Sequence, residues 1–138
     1  MFLFSWVIVV THLNIQPGDH IELKGQVAPD AKSFAVNLGR SGLDLALYFN
    51  PRFESQGDAW TIVCNSLQKG EWGEEQREPR FPFQQGQEGK MTFSFDAQEM
   101  CVTLQEHLEL TFPNRLGLET ISFLSVEGDF KVTSLKFK

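Results

Sequence analysis

Apolar and polar residues alternate in short runs along most of this chain. In Leu43-Asp44-Leu45-Ala46-Leu47-Tyr48-Phe49-Asn50-Pro51-Arg52 the alternation is strict, with Leu43, Leu45, Leu47 and Phe49 on one side. Successive side chains of a strand point to opposite faces, so the spacing predicts those four apolar groups in the core. Tyr48, Asn50 and Arg52 then emerge together on the other face. The run Thr61-Ile62-Val63-Cys64-Asn65 reads the same way, with Ile62 and Cys64 inward and Thr61, Val63 and Asn65 outward. Similar short runs occur at 21–24, 34–38, 91–95, 102–104 and 130–137. Turn signals such as Pro17-Gly18-Asp19, Gln56-Gly57-Asp58, Lys69-Gly70 and Glu127-Gly128-Asp129 separate them. No window of helical length carries an unbroken apolar stripe of period 3.6. This pattern predicts one all-β domain over residues 1–138, a sandwich or barrel of antiparallel strands.

Composition narrows the function classes. The formal net charge is −6, and no run of basic residues exists, so a phosphate backbone would be repelled and nucleic acid is not an expected partner. Cys64 and Cys101 are the only cysteines; they form no metal-type spacing and are expected to stay reduced, as in the cytosol. His12, His20 and His107 lie far apart, leaving no scaffold for a metal, and no cofactor motif is present. The apolar start, residues 1–10, lacks a basic flank and a small-residue cleavage site, and is too short to span a bilayer. It reads as a strand rather than a leader, and membrane insertion is not expected.

The polar row carries the candidate chemistry. A phenol, a carboxamide and a guanidinium supply donors and acceptors but no acid or base poised near neutrality. In Glu71-Trp72-Gly73-Glu74-Glu75-Gln76-Arg77, Glu75 and Arg77 share a face. If the three segments are neighbouring strands, Arg52, Asn65, Glu75 and Arg77 form one patch in which Glu75 fixes both arginine forks. Trp72 has the wrong parity for that face, but Gly73 permits a bulge or turn that swings the indole across the patch. A flat aromatic beside a rigid row of hydrogen-bonding groups suits a polyhydroxylated ligand. Glycoside hydrolysis by two of Glu71, Glu74 and Glu75 is a weaker reading. It needs one carboxyl kept protonated, and neighbouring arginines favour the charged form.

These segments resemble the galectins. The likeness rests on Leu47-Tyr48-Phe49-Asn50-Pro51-Arg52-Phe53, on Thr61-Ile62-Val63-Cys64-Asn65-Ser66 and on Trp72-Gly73-Glu74-Glu75-Gln76-Arg77-Glu78. It extends to 27–34, Phe81-Pro82-Phe83, 112–116 and 126–130. The resemblance implies a jelly-roll-like sandwich of two antiparallel sheets that binds β-galactosides without metal. It implies a non-covalent homodimer of the prototype kind, made in the cytoplasm and exported without a signal peptide. By motif position, Asn50 and Arg52 would contact the galactose C4 hydroxyl and ring oxygen, and Asn65 the C6 hydroxyl. Trp72 would stack on the apolar sugar face. Glu75 would contact the ring carrying the linkage and orient Arg52, with Arg77 in support and Val63 on the same face. Gln56 and Asp58 would lie at the periphery. Tyr48 departs from the family, which usually has His there to bond the C4 hydroxyl, and Gln56 stands where close relatives often have a second His. That departure leaves a rival reading, a galectin fold with altered sugar recognition serving as a structural or interaction module.

Overall fold

The alternating runs pair as antiparallel strands throughout the computed structural model, which describes residues 6–138. Residues 1–5, and with them part of the expected N-terminal strand, lie outside the described residues. In chain order the strands are β1 (Trp6–Val10), β2 (Ile21–Val27), β3 (Phe34–Ser41), β4 (Asp44–Ser55), β5 (Asp58–Gln68) and β6 (Glu71–Trp72). They continue with β7 (Gln76–Glu78), β8 (Glu88–Phe95), β9 (Glu99–Leu104), β10 (Leu108–Pro113), β11 (Phe123–Gly128) and β12 (Phe130–Phe137). No helix occurs among the described residues. One sheet has the order β1-β11-β3-β4-β5-β6, with β7 also paired to β5; the other runs β10-β9-β8-β2-β12. The expected two-sheet sandwich is the fold observed.

Phenylalanines fill the space between the sheets. Phe34 stacks on Phe130 at 4.7 Å and meets Phe83 edge-on at 5.4 Å, and Phe49 meets Phe93 at 5.7 Å. Such pairs add about 0.5–1.5 kcal/mol each beyond the area they bury. The Phe130 ring lies in a notch made by Gly25 and Gly89, which face each other across β2 and β8. A Cβ on Gly25 would come within 2.5 Å of that ring and 2.4 Å of the Lys131 carbonyl oxygen, so only glycine fits.

Strand β4 corrects the strict alternation read from the sequence. Between Leu45 and Tyr48 it carries one more residue than either neighbour, pairing Leu45 with Gly39 and Leu67 but Leu47 with Leu38 and Tyr48 with Asn65. This bulge at Ala46 puts Ala46 and Leu47 both in the core, while Leu45 is buried on the opposite face, outside the core cluster. Leu43 is not a core residue: it sits in the β3–β4 turn and is 63% exposed. Beyond the bulge the parity holds, with Phe49, Phe53, Ile62 and Cys64 inward. At the other end of β4, Gln56 and Gly57 adopt φ of 50° and 85° in a two-residue turn between the paired Ser55 and Asp58, the geometry that suits a tight hairpin. The turn folds Asp58 back beside Arg52.

Candidate functional site

The outer face of β4, β5 and the β6–β7 stretch assembles the polar side chains singled out above. Tyr48 lies opposite Asn65, Asn50 opposite Val63, and Val63 opposite Arg77. Val63 faces outward as expected but is fully buried beneath its neighbours, so it serves as floor. Together with Arg52, Gln56, Trp72, Gly73 and Glu75, Tyr48 and Asn65 line a groove of about 450 Å³, within the range of small-ligand sites.

Hydrogen bonds hold the row in place. The Asn50 Nδ2 donates to the Phe34 carbonyl at 2.8 Å, which leaves Oδ1 to accept from the Arg52 Nε, also at 2.8 Å. Arg52 is almost wholly buried, and its Nη1 donates to Asp58 Oδ2 at 2.7 Å. Arg77 grips the same carboxylate with two donors, Nε to Oδ1 at 3.0 Å and Nη2 to Oδ2 at 2.9 Å. Glu75 completes the network, 3.1 Å from Arg77 Nη2 and 3.7 Å from Arg52 Nη2. The sequence placed Glu75 alone between the two guanidiniums and left Asp58 at the periphery. Here Asp58 is the nearer bridge. Its carboxyl is held below the usual value, first by the Arg77 hydrogen bonds and then by Arg52, and Arg77 is correspondingly raised.

Trp72 reaches the groove because the chain leaves regular pairing after β6. The Gly73 amide donates to the Ser66 carbonyl at 2.9 Å, and Asn65 Nδ2 donates to the Gly73 carbonyl at 3.1 Å. A Cβ on Gly73 would stand 2.8 Å from both Ser66 Oγ and an Arg115 nitrogen, so a side chain here would displace both groups. Arg115, which carried no role in the sequence reading, braces this corner from the loop after β10. It donates to Ser66 Oγ at 3.1 Å and Asn65 Oδ1 at 3.4 Å while lying over the Phe112 ring. The indole itself is 55% exposed, a flat face open to the groove.

Tyr48 stands against that indole edge-on, with ring centroids 4.8 Å apart. Burial raises its phenol pKa, so the O–H stays protonated at neutral pH. Among the described residues no cluster of three His, Cys, Asp or Glu is placed to hold a metal, and no helix is long and apolar enough to cross a membrane.

Comparison with known proteins gives the same picture over nearly the whole chain. The family model described as Galactoside-binding lectin matches residues 6–137. A 16 kDa β-galactoside-binding lectin of Gallus gallus is 52% identical over 130 residues, covering 94% of this chain and 96% of the relative. The structure of CG-16, a homodimeric agglutinin from chicken liver, superposes with a TM-score of 0.94 at 51% identity, covering 96% of this chain and all of that one. A toad ovary galectin in complex with thio-digalactose superposes with a TM-score of 0.92 at 41% identity, covering 96% of this chain and 98% of that one. The chain therefore belongs to the galactoside-binding lectins, the galectins.

Proposed function

We propose that this protein binds β-galactosides on glycoproteins or glycolipids, holding them by hydrogen bonds and stacking alone. The observation that carries the reading is the locked row of Asn50, Arg52 and Asn65, of which Arg52 and Asn65 line an open groove together with the exposed indole of Trp72. A row fixed by Asp58, Glu75 and Arg115 presents its donors without reorganising, which lowers the ordering cost of binding a flexible, hydrated ligand. Asn50 and Arg52 take the C4 hydroxyl and ring oxygen, Asn65 the C6 hydroxyl, and Trp72 the apolar face. Glu75 reaches the ring carrying the linkage, with Arg77 behind it. Galectins are lectins rather than enzymes, and Asp58, held ionised by the Arg77 and Arg52 hydrogen bonds, makes a poor general acid. Export without a signal peptide belongs to the same reading. The rival reading, a galectin fold with weakened or altered sugar recognition acting as a structural or interaction module, is not favoured, because the family model and the most similar relatives are β-galactoside-binding lectins. Retention on immobilised lactose, displaced by free lactose but not by sucrose, is the expected result; passage straight through the column refutes the reading.

We further propose a two-fold dimer built on β1 and β12. These are edge strands of the two sheets, and Val7, Val9 and Phe137 on them are exposed apolar groups, with Val132 and Leu135 half-buried beside them. Unpaired apolar edges favour association, and an isologous contact between like edges covers them in both copies. Sedimentation at low micromolar protein is expected to give twice the 15.7 kDa chain mass. A monomer mass at every concentration refutes the dimer.

A further inference from the structure

The sheet that carries the galactoside groove has a counterpart, and the outer face of that second sheet holds a different chemistry. Along β12, β2 and β8 the core residues Leu23, Met91, Phe93 and Phe130 alternate with outward side chains, and the pairing fixes which of these meet. Lys131 lies opposite Gln26, Ser134 opposite Lys24 and Lys136 opposite Glu22. Across the other edge of β2, Lys24 lies directly opposite Lys90. Lys24 is thus the centre of a basic patch, with Lys131 and Lys136 at the rows one pleat repeat, about 6.7 Å, to either side. Lys138 adds a fifth ammonium from the end of β12, beside a shallow cavity of about 420 Å³ lined also by His20, Glu22 and Thr92.

Carboxylates answer only part of this charge. Lys138 pairs with Glu22 at 2.6 Å, and Lys90 pairs with Glu106. Lys24, Lys131 and Lys136 form no ion pair among the described residues, and Glu88 is the one further acid on the outward positions of these three strands. Like charges directly opposite one another in a ladder repel, so an anion lying over Lys24 and Lys90 would relieve that pair. The remaining acids of this sheet gather on its far side, Glu99 on β9 and Glu109 on β10, two and three strands away from β2. The chain's net charge of −6 is therefore segregated, and this half of the face is basic.

The same outward positions carry only Lys, Glu, Gln, Ser and Thr. A bilayer finds no apolar group there to insert, and single-stranded nucleic acid finds no aromatic ring to stack on. A flat array of hydrated ammonium groups complements the sulfate esters of a hydrated polymer. We propose that the outer face of β12, β2 and β8 binds a sulfated polysaccharide through Lys24, Lys131 and Lys136, with Lys90 and Lys138 at the margins. The surface lies on the opposite side of the sandwich from the galactoside groove, so the inference is independent of that reading. An edge-to-edge dimer through β12 leaves this face open and sets two such patches side by side.

The test is calorimetric titration of a heparin dodecasaccharide, which contains no galactoside, at about 50 and about 200 mM salt. Release of counterions at three lysines predicts a loss of affinity of roughly twenty- to fortyfold between the two conditions. Saturating lactose should leave the heparin affinity within twofold, and competition by lactose overturns the separate site. Combining Lys24→Gln, Lys131→Gln and Lys136→Gln should weaken heparin binding at least about tenfold at the lower salt and flatten its salt dependence. Lys32→Gln with Lys69→Gln removes exposed charge elsewhere and should change it by less than twofold. An equal loss in both variants overturns the proposal, as does heparin binding that survives the triple change or is absent at the lower salt. Tighter binding of phosphatidylserine vesicles or of a single-stranded oligonucleotide than of heparin overturns it as well. Lactose binding stays unchanged in the triple variant, so failure here leaves the galactoside reading standing.

Discussion

Replacing Tyr48 by His separates the contribution of this side chain to the fold from its effect on the ligand. Tyr48 is half-buried on β4, shares a face with Asn50 and Arg52, and packs its ring against Trp72 at 4.8 Å and 63°. An edge-to-face pair of this kind contributes about 0.5–1.5 kcal/mol. The smaller imidazole gives up that contact, so Tyr48→His is expected to lower the melting temperature by roughly 2–7 °C for a domain of this length. Lactose binding should move the other way. An imidazole reaches the C4 hydroxyl without the added bulk of a phenol, and one hydrogen bond is worth about 0.5–1.5 kcal/mol, or roughly a two- to tenfold gain in affinity. Discrimination should sharpen as well, because the wrong epimer at C4 leaves buried polar groups unpaired. Titrating lactose and cellobiose into both proteins, with thermal melts alongside, reads all three effects. Unchanged or weaker lactose binding in the variant would show Tyr48 to be an adapted contact and refute the reasoning.

Three further outcomes are expected. Trp72→Ala should cost at least about 2 kcal/mol of lactose binding, roughly thirtyfold, with a fall in melting temperature comparable to that of Tyr48→His because the same edge-to-face pair is lost; calorimetric affinity within twofold of wild type contradicts the assigned stacking face. Asp58→Asn should weaken lactose binding by releasing Arg52 and Arg77, and should flatten the acid limb of stability. The folded carboxyl lies below its ordinary value of 3.8, so its contribution is complete above that pH and is lost as the pH falls through the lower folded value; melting curves between pH 6 and 2 with equal slopes in both proteins would count against it. Cys64, buried and pushed up to about 12, should resist iodoacetamide at neutral pH, while the more accessible Cys101 reacts first; rapid alkylation of Cys64 in the native protein, read by mass spectrometry, would contradict this.

Sequence parity was enough to place Asn50, Arg52 and Asn65 on one face, because the hydrophobic period of β4 beyond Leu47 and of β5 is regular. It failed at Leu43 and Leu45, where a single extra residue reverses the alternation, and nothing in a run of leucines announces such an insertion. Gly73 signalled that the chain breaks from regular pairing just after Trp72, since a glycine beside an aromatic of the wrong parity points to a local break. Asp58 was underrated because its role depends on a hairpin turn that folds it back onto Arg52, a closure that strand parity does not register. Arg115 was missed for a different reason: it meets Asn65 from 50 residues away in sequence, and no local pattern encodes that contact.

The additional residue at Ala46 bears on how this sheet acquires its shape. A bulge bends its strand and increases the local twist, so the surface under the ligand is curved where two regular neighbours would leave it flatter. Deleting Ala46 would bring Leu45 directly before Leu47, and the strand would still read outward, inward, outward through Tyr48. The ladder would close without losing a hydrophobic face, yet the concavity cradling the sugar would relax. The form of the groove is thus stored partly in the number of residues on one strand, at a position whose side chain lies in the core and never meets a ligand. Variation in length at this point would reshape recognition while every contacting residue stayed the same.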